Sequence, residues 1–235
     1  MAQALSTASA TADLDETFCT CCRDLLGVDG VSISLASSFD LASMCTTNAS
    51  ISAFEELEFT LGEGPALDAL ASGEPSPPEH PPGEMSEKRP PFDAAAADSG
   101  LGGVFAFPLN VGAARLGVLT LFVNSITGLS AAQHDDALIA ADALVHVILA
   151  AQGSTPASAE PVPFRDVGLF RAEIHQASGM LSAQIGCTVA DALVQLRGRA
   201  YAVEKPIAEL ARDVVLGRTR LLRGADNQIE WSGEE

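Results

Sequence analysis

A chain of 235 residues, 47% of them hydrophobic, is long enough to bury one or two cores, and with only 5% aromatic residues those cores must be largely aliphatic. The net charge of -18 excludes a uniformly basic nucleic-acid-binding protein, but it is uneven. Residues 1–150 hold 4 basic and 20 acidic side chains, and residues 164–223 hold 9 and 6, so only the second part is suited to meet a polyanion.

In chain order, residues 1–12 read as a flexible N-terminus. The opening MAQALSTASATADLDETF lacks the basic and apolar regions of a signal peptide. Asp13 and Glu16 resemble a helix start, with Phe18, Cys22, Leu25 and Leu26 on the inner face. VSISLA (31–36) alternates Val31, Ile33 and Leu35 with Ser32, Ser34 and Ala36, as a half-buried strand does. SMCTT (43–47) is a weaker strand. A helix is predicted over 51–58 and another after Gly64-Pro65, Pro65 being suited to a first helical position. Seven prolines make residues 73–92 a loop. GVFAFPLNV (103–111) and RLGVLTLFV (115–123) are two strands joined by Gly112-Ala113-Ala114 as a hairpin. Ser130 and Gln133 then form a capping box for a helix running to about residue 150. That helix contains the longest apolar run, ALIAADALVHVILAA, which carries Asp142 and His146 and is too short to span a bilayer. The expectation is a cytoplasmic protein with no membrane partner, whose residues 13–150 form an α+β domain with an antiparallel sheet and flanking helices.

Residues 151–164, beginning AQGSTPASAEPVP, read as an interdomain linker. Three helices are predicted in residues 165–223. The first covers about 167–185, with Phe170, Ile174, Ala177, Leu181 and Ile185 on one side. Thr188 and Asp191 cap the second, in which Val189, Ala192, Leu193, Leu196, Ala200 and Val203 share a face. Pro206 starts the third, with Ile207, Leu210, Ala211 and Val214 inward. Residues 224–235 read as an acidic tail. No fixed-period repeat is visible.

The cysteines, Cys19, Cys21, Cys22, Cys45 and Cys187, are odd in number and three crowd one predicted helix. This argues against a disulfide framework and for reduced, partly buried thiols. Cys19 and Cys22 share a helix face, but no second ligand pair with zinc-like spacing follows. His80, His134 and His146 are scattered, and His175 has no nucleophile or carboxylate at a suggestive spacing.

LGEGPALDALASGEP, followed by GVFAFPLNVGAARLGVLTLF, resembles a GAF domain of the kind found in actinobacterial regulators, over roughly residues 14–150. The resemblance implies a small-molecule sensor fold but names no ligand or cofactor; a small molecule or a redox signal at this domain is expected to control the C-terminal module. Ser32, Ser34, Phe105, Phe107, Thr120 and Phe122 are candidates to face a pocket, and strand alternation leaves open which face holds it. Some GAF-fold proteins reduce free methionine sulfoxide with cysteines around the pocket, and Cys45 is the residue to test for this. The other thiols cluster on the first helix rather than in loops, so the chain is read as a regulator and not an enzyme.

EIHQASGMLSAQIGCTVADALVQLRGRAYAVEKPIAELARDVV resembles an ANTAR domain, at Ala177, Gly179, Leu181, Gly186, Ala192, Leu196, Arg197, Ala200, Leu210 and Ala211. The resemblance implies a three-helix module that binds paired stem-loops in nascent RNA as a homodimer and prevents a terminator from forming. Ser178 stands where many members of that family carry Lys. By helical geometry Gly179 lies with Ala172, Gln176 and Ala183 on a small, nearly flat strip where another backbone can approach closely. Tyr201, the one tyrosine, could stack on an unpaired base while Arg197 engages phosphate. Arg171, Lys205 and Arg212 are further phosphate candidates. The expected RNA-contact set is therefore Arg171, Gln176, Ser178, Gly179, Arg197, Tyr201, Lys205 and Arg212. The competing reading is a sensor whose helical module serves protein interaction or dimerisation without RNA.

Overall fold

The computed structural model describes residues 14–37, 40–76, 92, 102–124, 128–153, 171–223 and 229–233. The expected flexible N-terminus, most of the Pro-rich loop and the linker beyond 153 lie outside the described residues. The chain divides into two compact units, Met1–Phe164 and Arg165–Glu235.

The first unit is a mixed α and β fold with an antiparallel sheet. Its elements are α1 (Leu14–Leu26), β1 (Gly30–Ala36), β2 (Leu41–Thr46), α2 (Ala49–Leu61), α3 (Pro65–Ser72), β3 (Gly103–Val111), β4 (Ala114–Val123) and α4 (Ala131–Gly153). The strand order is β2-β1-β4-β3, and every adjacent pair is antiparallel. β3 and β4 form the expected hairpin, with Gly112 at φ 57 in its tight turn.

The sheet is covered on both faces. Val31, Ile33, Phe105, Phe107, Leu119 and Leu121 point to one face, where α1 contributes Phe18, Cys19, Cys22 and Leu26, and α4 contributes Ala137, Ala140, Ala141, Leu144 and Ile148. Ile51 and Phe54 of α2 pack over Val104 and Phe122 on the other face. Ala66 and Ala69 of α3 pack beside them over Ala106 and Val118. Two covered faces explain why β3 and β4 read as nearly continuous apolar runs. Leu25, expected inside, is 46% exposed, because it falls at the edge of the α1 stripe formed by Phe18, Cys22 and Leu26.

Local chemistry sets the helix ends. The Asn48 side chain accepts from the Ile51 N–H at the start of α2, and Gly62 closes that helix at φ 71. Ser130 and Gln133 make the predicted capping box for α4, and Gln133 Nε2 also donates to the Leu26 and Gly27 carbonyls, tying α4 to the end of α1. α4 continues to Gly153, past the expected linker start.

The second unit contains α5 (Ala172–Ile185), α6 (Val189–Ala202), α7 (Ile207–Val215), and a two-stranded antiparallel sheet of β5 (Thr219–Arg223) and β6 (Ile229–Gly233). Its core joins Ile174, Ala177, Leu181 and Ile185 to Leu193, Leu196, Leu210, Val214 and Leu221. Thr188 and Asp191 form the predicted capping box. Val203, expected on the inner face, lies beyond the end of α6 and is exposed. The tail expected at 224–235 instead supplies β6. An isolated hairpin is marginal in water, and this one is anchored by buried Leu221, whose N–H donates to Gln184 Oε1 of α5 at 2.8 Å. Among the described residues no single helix is long and apolar enough to cross a membrane.

Candidate functional site

In the second unit, α5 turns Ile174, Ala177, Ser178, Leu181 and Ile185 inward. Ala172, Gln176 and Ala183 are exposed on the other side. A Cβ added to Gly179 would meet nothing within 4 Å. Internal packing therefore does not require this glycine, and the strip is open to an approaching backbone. Ser178 is a correction to the expected RNA-contact set. It is 0% exposed, and its Oγ donates to the Ile174 carbonyl one turn back at 2.9 Å. Position 178 falls beside 174 and 181 on the helix, so core packing claims it.

The cations are less available than their sequence positions suggest. Arg171 is buried, a second correction. Arg212 of α7 pairs with Glu173 of α5 at 3.1 Å, which brings it to the flank of the Gln176 strip. Lys205 pairs with Asp213, and Arg218 also reaches Asp213 at 3.3 Å. The hydrogen bond from Lys205, aided by Arg218, holds the Asp213 carboxyl below its ordinary range despite the opposing effect of burial. Arg197 is half-buried, and Tyr201 is 65% exposed one turn further along α6. Gly198, between them, also has open space where a side chain would project. Sequence reasoning missed Arg220, an exposed cation on β5, because that stretch carried no strand signal beyond the short TRLLR.

In the first unit, strand register settles which face is polar. Ser32 lies opposite Thr120, and Thr120 opposite Ala106, on the α2 and α3 side. Phe122 shares that face, whereas Phe105 and Phe107 point to the α1 and α4 side. Ser34 Oγ donates to the buried Glu55 carboxylate of α2. Ser32 is 1% exposed, and its Oγ has no hydrogen-bond partner among the described residues. Burying an unpaired hydroxyl costs about 1–3 kcal/mol, and no described residue offsets that cost at Ser32. Phe54 packs edge-on against Phe122 and Phe92, with centroids 5.3 and 5.5 Å away, and walls the same region.

The LGEGP stretch has a structural explanation. Glu58 Oε1 accepts from the Ala66 N–H at 2.9 Å, capping α3 from the preceding helix. Gly64 at φ 150 leaves room for that carboxylate, since a Cβ there would lie 2.2 Å from Glu58 Oε1. The motif builds a turn.

A cleft of about 430 Å³ lies elsewhere, between Gly27, Asp29, Leu129, Ser130 and Gln133. Its polar groups are already engaged. Asp29 accepts from the Asn124 N–H, and Ser130 and Gln133 cap α4.

Cys19 of α1 and Cys45 of β2 form a disulfide. This corrects the expectation of reduced thiols at those two positions: the α1 face that carries Cys19 packs directly over β2. Cys21, Cys22 and Cys187 are free. Burial, with a smaller contribution from neighbouring Cys21, pushes the Cys22 thiol up to about 12. No group of three or more His, Cys, Asp and Glu side chains among the described residues is arranged to hold a metal ion.

No family model matches the chain, and no curated protein matches it. Solved structures similar to it include the GAF domain of an Acinetobacter phosphoenolpyruvate-protein phosphotransferase (14% identity, 66% of this chain and 94% of that one, TM-score 0.46). A GAF domain/HD domain protein from Geobacter sulfurreducens is similar at 17% identity over 62% of this chain and 98% of that one, TM-score 0.43. The GAF domain of the cyanobacteriochrome TePixJ is similar at 13% identity over 61% of this chain and 93% of that one, TM-score 0.44.

Proposed function

We propose that the chain is a cytoplasmic, non-enzymatic regulator in which a GAF-type sensor unit controls an ANTAR-type RNA-binding unit. In this reading the sensor unit responds to a small molecule or a redox signal. The helical unit, as a homodimer, binds paired stem-loops in nascent transcripts and keeps a terminator from forming. The observation that carries the reading is Gly179. A helix-interior glycine costs about 1 kcal/mol relative to Ala, and no neighbour within the unit demands it. Close approach by an RNA backbone along Gln176 and Gly179 accounts for it. Exposed Tyr201 then offers a stacking platform, and Arg197, Arg212 and Lys205 offer charge to phosphate once their local pairs exchange. The exposed Arg212–Glu173 pair is weak enough to exchange.

The test is binding to hairpin RNA at several salt concentrations. The native chain is expected to bind more weakly as salt rises. The Arg197→Ala, Tyr201→Ala double variant is expected to fold and to bind about 10- to 100-fold more weakly. The pairing of Lys205 and Arg212 with acidic neighbours favours a second reading, in which the helical unit is a protein-interaction or dimerisation module. Absence of hairpin-RNA binding at every salt concentration selects that reading, and equal binding by the double variant removes Arg197 and Tyr201 from the contact surface.

A further inference from the structure

We propose that Cys19 and Cys45 are a reversible dithiol–disulfide site, read by a low-molecular-weight thiol–disulfide couple, which locks α1 onto the edge of the sheet when oxidised. The inference rests on the sensor reading of the first unit and supplies that unit with a redox signal.

The placement of the two sulfurs carries the argument. Cys19 is 0% exposed and Cys45 6%, so an external reagent meets Cys45 first. Cys45 sits on β2, an edge strand of the sheet. The register of β2 against β1 shifts between the Ile33 and Ser34 pairings, which leaves Met44, beside Cys45, as an extra residue in the strand. A bulge on an edge strand is a local interruption of the ladder, and it sets the place where the strand opens most readily. The bridge spans 26 residues of sequence and joins the first helix of the unit to that edge.

The remaining thiols argue against a permanent framework. Cys22 lies one turn from Cys19 in the same core and stays a thiol. Its raised pKa keeps it protonated and slow to attack the bridge once formed. Permanent frameworks usually pair their cysteines, and this unit keeps two thiols on the same helix as one bridge sulfur.

The chemistry balances as two exchanges. In the reduced chain the Cys45 thiolate attacks a disulfide RSSR and forms a mixed disulfide, and the leaving RS⁻ takes up the proton that Cys45 gave up. The Cys19 thiolate then attacks the Cys45 sulfur and forms the bridge, and the second RS⁻ leaves with the Cys19 proton. Two cysteine thiols are oxidised and one RSSR is reduced to two RSH. Excess RSH drives the reverse reaction.

The experiment equilibrates the full chain across ratios of reduced to oxidised glutathione, quenches in acid, denatures, alkylates and counts labels by intact mass. With five cysteines, five labels are expected under reducing conditions and three under oxidising ones, with peptide mapping placing the bridge at Cys19 and Cys45. The Cys22→Ala variant is expected to give four and two, and Cys45→Ala four under both. The oxidised chain is expected to melt about 10 °C above the reduced one, as closing a loop of this length implies. Five labels at every ratio, three labels even in excess reduced glutathione, a bridge mapped to Cys21 or Cys22, or coincident melting curves would each overturn the proposal. None of these readouts involves RNA, so failure of RNA binding leaves the redox result standing, and failure of redox cycling leaves the RNA result standing.

Discussion

Gly64 and Gly179 have opposite relations to their surroundings. At Gly64 a side chain is refused twice, by the backbone at φ 150 and by the Glu58 carboxylate 2.2 Å from where a Cβ would stand. Gly64→Ala is expected to destabilise the first unit by about 1–3 kcal/mol. Gly179 has ordinary helical geometry and empty space outside it, so Gly179→Ala is expected to stabilise the second unit by about 1 kcal/mol. The same change should weaken RNA binding, because the methyl group holds off an approaching backbone. Thermal melts with hairpin-RNA titrations on both variants check the pair, and unchanged RNA affinity in Gly179→Ala would remove the stated role of the strip. That Gly179 turns away from the core was legible from helical angle alone. The burial of Ser178 was not drawn from it, although 178 is four residues beyond Ile174, because the family likeness assigned that position to the outer surface.

At the scale of elements, caps and turns were the most readable features. Ser130 with Gln133, Thr188 with Asp191, and Gly64-Pro65 all start helices where their side-chain chemistry predicts, since caps act within a few residues of sequence. The β5–β6 hairpin was unreadable. Its strands are five residues each, and β6 lies in a stretch that composition marks as an acidic tail. What holds the hairpin is tertiary: Leu221 inserts beneath α5 and its N–H meets Gln184. Leu221→Ala is therefore expected to cost about 2–5 kcal/mol, seen as a lower melting temperature with loss of helical circular dichroism. A loss below about 1 kcal/mol would mean that the hairpin is an appendage to the helices. The α5 strip and the Arg212–Glu173 pair likewise depend on α7 lying beside α5, which no local pattern specified.

At the scale of the molecule, charge separates the two units. The acidic first unit is poorly suited to nucleic acid, and the second unit meets its own cations with local carboxylates. Asp213 joins Lys205, before α7, to Arg218, after it. Its carboxyl is held below the ordinary value of 3.8, so the folded state releases that proton more readily than the unfolded chain. The stability it contributes is complete above the unfolded value and is lost as pH falls through the folded one. Melting of the full chain from about pH 5 to pH 2 is expected to show a decline that Asp213→Asn flattens, and an identical pH profile in that variant would remove the contribution. By itself the amino-acid sequence determined the order and type of most elements, the charge contrast along the chain and the apolar stripes of the helices, because these follow from near-neighbour chemistry and periodicity. Only tertiary structure decided which sheet face holds the hydroxyls, which cations are already paired, that residues 229–233 form a strand, and that Cys19 meets Cys45. These depend on how elements and turns bring side chains together, which local periodicity does not specify, and an alternating strand with both faces covered carries no mark of what will cover each.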